Sequence, residues 1–159
     1  TINQTINIVG FGQEIHSKFD KSKILKCLKS GIRYPTEMTK YINFNQNFPE
    51  NHNIVLLHNR ENRVQVFDGK NWNTMMYDDF YNEMINKQLL HYHTIKEKND
   101  ITYNNLSQLN KQAIERIDDL ENDEPMKYKK NKQEFKNVMI DGRVMVMKTQ
   151  KNVKRAKLN

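Results

Sequence analysis

The apolar positions of this chain recur with two different periods, and the change from one to the other marks its elements. Ile2, Ile6 and Ile8 alternate with Asn and Gln, which predicts a short strand or extended arm running into Gly10-Phe11-Gly12. Ile15, Phe19, Ile24, Leu25 and Leu28 then recur at roughly helical spacing. The polar step Asp20-Lys21-Ser22 divides that segment, with Asp20 or Ser22 as a helix cap and Gly31 as the residue that ends it. A second helix is expected after Tyr34-Pro35-Thr36, with Thr36 as its N-cap and Met38, Tyr41 and Ile42 on its apolar face.

Beyond Phe44 the period changes to two. Phe44 to Asn53 is rich in Asn, whose side chains bond local backbone, so an ordered loop is expected. Ile54–His58 and Arg63–Phe67 alternate as the arms of a hairpin around Asn59–Asn62, and both faces of the first arm are apolar, so both should be covered. Asp68-Gly69 predicts a second turn, and Asn71-Trp72 the start of a third short strand. Helical spacing returns from Thr74 to Tyr92 through Met75, Met76, Phe80, Met84, Ile85 and Leu89. After the polar stretch Lys96–Asn105, the stripe Leu106, Leu109, Ala113, Ile117 and Leu120 steps by threes and fours, which fits either a packed helix or a dimer contact. Asn122–Pro125 stops it. Lys127–Val138 reads as a basic helix, Met139–Thr149 as an apolar segment with a tight turn at Asp141-Gly142, and the end of the chain as a basic tail. The expected fold class is α+β: a small antiparallel hairpin or three-stranded sheet packed with several helices. One domain is expected over residues 1–147, followed by a basic tail at 148–159.

Composition narrows the function. A hydrophobic fraction of 36% and a mean hydropathy of −0.92 favour a modest core under polar helices. A net charge of +7 favours anionic partners, nucleic acid first. Abundant Asn, Lys and Ile, the residues of AT-rich codons, reduce the weight of that charge. The single cysteine, Cys27, excludes an internal disulfide and a cysteine-based zinc site, and its apolar surroundings predict an inert thiol. No apolar run reaches the ~18 residues of a membrane span, so no membrane partner is expected. No signal peptide is read, so an intracellular location is expected. The chain starts at Thr1 rather than Met, which fits a fragment or a processed product.

Several blocks together resemble an uncharacterised domain of nucleocytoplasmic large DNA viruses of the giant-virus kind, a domain often found behind a zinc-finger-like segment. They are Ile6-Asn7, Phe11-Gly12-Gln13-Glu14, Asn43-Phe44-Asn45, Pro49-Glu50-Asn51-His52-Asn53-Ile54 and Trp72. The likeness spans roughly residues 1–90, and Pro49–Ile54 is its most specific part. Asn43 stands where the pattern often has His, so a role needing an imidazole there does not carry over. The resemblance implies a viral origin, with a location in host cytoplasm, nucleus, virus factory or virion. It supplies no catalytic residues.

The candidate chemistry is sparse. His52, Asn53, His58 and Asn62 near a hairpin offer the residue types of a degenerate HNH-like metal-dependent nuclease, but not its order. The plainer reading makes Pro49, Asn51, His52 and Asn53 a motif loop, with the asparagines fixing a turn and His52 at the surface or in the turn. His91 and His93 diverge and chelate poorly on a helix but share a face on a strand; His16 is remote in sequence and no carboxylate at fitting spacing completes a site, so no metal or cofactor is expected. The acidic run Asp118, Asp119, Glu121, Asp123 and Glu124 reads as a solvated face. Lys127, Lys129, Lys130 and Lys132, with Lys148, Lys151, Lys154, Arg155 and Lys157, form the best nucleic-acid feature. Lys outnumbers Arg there, favouring phosphate contact over base reading. The expected function is therefore a non-enzymatic viral module binding nucleic acid nonspecifically. A structural protein forming homo-oligomers through Ile2–Val9 and Leu106–Leu120, or the degenerate nuclease, are the alternatives.

Overall fold

The computed structural model describes residues 6–58, 62–98, 107–120 and 125–158, with side chains at all of these except 58, 109, 125–128 and 154–158. Helix α1 spans Lys21–Lys29 and α2 Tyr34–Asn43; strands β1 (Ile54–His58), β2 (Arg63–Phe67) and β3 (Trp72–Met76) follow; α3 (Tyr77–Lys98), α4 (Gln108–Leu120) and α5 (Pro125–Leu158) complete the chain. The class is α+β, as the two periods predict.

Asp20 caps α1: its Oδ1 accepts from the Ser22 N–H at 2.9 Å and from the Ser22 hydroxyl at 2.9 Å. Gly31 ends the helix at φ +62°, where a side chain would be strained. It also gives α4 room to approach, since a Cβ there would lie 3.4 Å from Arg116 Cβ. The tight turn Gly31–Arg33 leads straight into α2, so the helix starts at Tyr34 with Pro35 in its first turn. Thr36, expected as the cap, is instead a buried position within that helix.

The three strands form an antiparallel meander in the order β1-β2-β3. Ile54 pairs with Val66 and Leu56 with Val64, while Val64 and Val66 face Met75 and Asn73 on the other side. Met75 and Met76, assigned by period to a helix, lie in β3 because pairing with Val64 and Arg63 holds them extended. Helix α3 starts one residue later, where the Tyr77 N–H donates to the Asn62 carbonyl at 2.7 Å. Residues 1–5 of the expected N-terminal strand and 59–61 of the hairpin turn lie outside the described residues, as do Leu106 and Asn122–Glu124. Residues 6–10 have no regular structure, but the Val9 N–H donates to the Glu50 carbonyl at 2.9 Å and the Phe11 N–H to the Phe67 carbonyl at 2.8 Å.

Two apolar cores share one helix. Ile54, Leu56, Val64 and Val66 pack with Phe80, Met84, Phe135 and Met139 from α3 and α5. Val55 is buried too, so both faces of β1 are covered, as its sequence predicts. The second core joins Cys27, Leu28, Met38 and Ile42 to Leu89, Tyr92, Ile114 and Ile117. Helix α3 contributes to both, and Ile85 touches each. In α4, Ala113 and Ile117 are buried against their own chain, which uses this part of the heptad-like stripe internally.

Helix α5 is continuous for 34 residues, about 51 Å at 1.5 Å per residue. Asp141-Gly142, expected as a tight turn, lies in its interior. Gly142 serves close approach instead, because a Cβ there would overlap the Phe44 ring. Residues 148–158, expected as a tail, extend the same helix, and Thr149 is buried. Exchanging a mid-helix glycine for alanine normally stabilises by about 1 kcal/mol. Here Gly142→Ala is expected to destabilise by about 1–3 kcal/mol through overpacking against Phe44. Urea unfolding reads this directly, and Phe44→Leu in the same chain should return part of the loss.

Candidate functional site

Among the described residues the most heavily bonded side chain is Glu14, completely buried beside α3. Its Oε2 accepts from Lys87 Nζ at 2.8 Å and from the Gly12 N–H at 2.9 Å. Its Oε1 accepts from Asn43 Nδ2 at 2.9 Å and Asn53 Nδ2 at 3.1 Å. Asn43 Nδ2 also reaches Asn53 Oδ1 at 2.8 Å, and Asn53 Nδ2 reaches the Val9 carbonyl at 3.2 Å. Four chain segments thereby meet on one carboxylate. Burial alone would raise the Glu14 pKa, but the Lys87 charge and the donated hydrogen bonds outweigh it and hold it below the usual carboxylate range. Burial lowers the pKa of Lys87, and Glu14 restores only part of that. Lys87 also lies over the Phe11 ring, 3.8 Å from its centroid.

Asn43 Nδ2 serves two acceptors, Glu14 Oε1 and Asn53 Oδ1, which a single imidazole N–H would not reach together. The roles of Glu14 and Lys87 were not read from sequence. They are 73 positions apart, and neither stands in a motif of spaced charges.

The motif loop proves to be interior. Pro49 opens a short turn at Pro49–Asn51, and Asn51, His52 and Asn53 are all buried. His52, placed by sequence at the surface or in a turn, is 1% exposed. Its Nε2 lies 2.8 Å from the Asn45 carbonyl, so that nitrogen carries the proton and donates. Its Nδ1 lies 2.7 Å from Thr149 Oγ1 and accepts the hydroxyl proton. Both ring nitrogens are occupied within the protein, and no lone pair faces a substrate. Burial pulls the His52 pKa below its ordinary value. The histidine joins the Asn45 turn to α5, a positioning task.

His91 and His93 diverge on α3, as expected of that spacing. His91 is half-buried and stacks on His16, ring centroids 3.8 Å apart, whereas His93 is exposed. Burial, then the neighbouring His16 and Lys87, push His91 down to about 4, and burial also lowers His16. Among the described residues, no group of three or more His, Cys, Asp or Glu side chains is placed to hold a metal ion.

The basic residues divide. Lys129 and Lys130 are exposed near one end of α5, and Lys148 and Lys151 are exposed near the other. From Lys130 to Lys148 the helix rises about 27 Å. Lys132 is ion-paired, its Nζ 2.6 Å from Oδ1 of the exposed Asp78. The side chains of Lys127, Lys154, Arg155 and Lys157 lie outside the described residues. A further cationic feature was not read from sequence: α1 carries Lys21, Lys23, Lys26 and Lys29 and no carboxylate. Its available signal was four lysines in nine residues.

Beside α1 lies an open cleft of about 600 Å³, bounded by α2, the turn at Phe44–Gln46 and Met145 of α5. Lys23, Lys26, Lys40 and Arg33 rim it. Arg33 is already paired with Glu37 at 3.2 Å and Glu134 at 3.4 Å. Lys23, Lys26 and Lys40 have no carboxylate within ion-pair distance among the described residues. Cys27 forms part of the wall; burial raises its thiol to about 12, consistent with an inert group. In comparisons with protein-family models, curated proteins and solved structures, nothing matches the chain.

Two outcomes follow from the buried charges. Lys87→Met strands the Glu14 carboxylate and is expected to lower the unfolding free energy by about 3–5 kcal/mol. Glu14→Gln together with Lys87→Met should lose less than that single change in the same urea titration. Stability should also fall on acidification from pH 7 to 4. The unfolded chain takes up protons on His16 and His91 near the ordinary 6.5, while folded His91 resists protonation until about 4. The depressed Glu14 adds to the loss below its ordinary 4.5. Thermal melts at stepped pH should show the midpoint dropping, with a shallower slope between pH 6.5 and 4 in His91→Phe.

Proposed function

We propose that this chain is a non-enzymatic module that binds nucleic acid through its phosphates, in the viral setting that its resemblance to a giant-virus domain implies. The observation that carries the reading is the cleft rim, where Lys23, Lys26 and Lys40 make no ion pair within 4.0 Å among the described residues. Lys148 adds to it, lying exposed one turn beyond Met145, and positions three apart share a helix face. Lysine is a flexible point charge, suited to following a phosphate backbone and poorly suited to bidentate reading of base edges. The buried and fully bonded His52 gives no support to hydrolysis at the motif loop.

Binding is tested by fluorescence anisotropy of labelled oligonucleotides titrated at several salt concentrations. If four to five phosphates are neutralised, log K should fall against log salt with a slope of about −3 to −4. That corresponds to a loss of about 10²-fold between 50 and 200 mM salt. Charge reversal at Lys23, Lys26 and Lys40 together should flatten the slope by about 2–3. Absence of binding at 50 mM salt overturns the reading and leaves the positive charge as compositional background.

A further inference from the structure

We infer that the cleft beside α1 accepts a single nucleotide unit of an unpaired strand, its base on the cleft floor and its phosphate at the lysine rim. The inference rests on the phosphate-binding function proposed above and adds what lies between the charges. The floor is apolar and aromatic, formed by Tyr41, Phe44 and Met145. A site for phosphate alone has no use for such a surface, whereas a base gains by stacking on it.

The floor is also held in place before any ligand arrives. The Tyr41 hydroxyl accepts from the Asp20 N–H at 3.1 Å, and its ring packs edge-on against Phe19 and Phe48. Phe44 is pressed against Gly142, where the helix has no side chain. Met145 stands one helical turn before Thr149, which His52 fastens to the Asn45 turn. The motif loop therefore fixes the wall that carries both Met145 and Lys148. Asn45 and Gln46 close one end with amides, which can meet a base edge. The volume of about 600 Å³ lies in the ordinary range for small-molecule sites. A paired and stacked base of a duplex cannot reach such a floor without leaving its stack.

The test compares a 12-nucleotide oligothymidylate, an abasic strand with the same number of phosphates and a duplex of the same length, at fixed salt. The oligothymidylate should bind about tenfold tighter than the abasic strand, within the range for one base on a stacking surface. 2-Aminopurine placed in the strand should lose fluorescence on binding the unmodified protein. Tyr41→Leu, which removes the aromatic ring from the floor, should bring oligothymidylate down towards the abasic affinity; a thermal melt checks that this variant folds. Displacement of the strand by micromolar thymidine monophosphate would also support the inference and name a free nucleotide as the occupant. Equal affinity for abasic and base-bearing strands, or tighter binding of duplex, overturns it while leaving salt-dependent phosphate binding intact. Failure of all three nucleic acids to bind at low salt removes the underlying function as well.

Discussion

Glu14 carries a negative charge to a position with no solvent contact, and an uncompensated carboxylate there would cost several kcal/mol. Lys87 supplies the countercharge, and Gly12, Asn43 and Asn53 supply the remaining hydrogen bonds. Each partner comes from a different part of the chain: the N-terminal segment, the end of α2, the motif loop and the middle of α3. A hydrophobic contact tolerates sliding, but a buried ion pair with directed donors fits one arrangement only. The junction between the sheet layer and the helical layer depends on that centre, because α3 runs through both cores and carries Lys87.

The motif loop extends this centre outward. Asn53 and Asn51 face the Glu14 cluster, while His52 faces the other way, toward Asn45 and Thr149. One short turn thus connects the charged centre to α5. The exposed consequence is the cleft, whose Asn45 end and α5 wall both meet at His52. Side chains that look chemically active in sequence act here as fasteners. Around the cleft the solvent-facing cations are lysines on α1 and α2, with Arg33 held by Glu37 and Glu134.

Much of the fold was legible. The hairpin arms, the cap at Asp20, the end at Gly31 and the double-faced burial of β1 follow from local pattern and turn chemistry. The misplaced features share one cause. Met75 and Met76 have helical spacing but pair with Val64 and Arg63; Gly142 looks like a turn residue but accommodates the Phe44 ring. In each case a contact distant in sequence overrode a local preference. The basic end of the chain was judged a tail from charge alone, whereas Thr149 inside it is anchored to His52, 97 positions away.

The sequence by itself determined the α+β class, the hairpin arms and the first two helices, the inert thiol and the surplus of positive charge, since each depends on residue type and short-range period. Only the tertiary structure decided which polar groups are buried together and which cations remain free. A lysine's fate depends on whether a carboxylate is brought near it in space. Lys87 and Lys132 were paired with Glu14 and Asp78, while Lys23, Lys26 and Lys40 were left around a cleft. Sequence order carries no distance between those charges, and the fold sets every one of them.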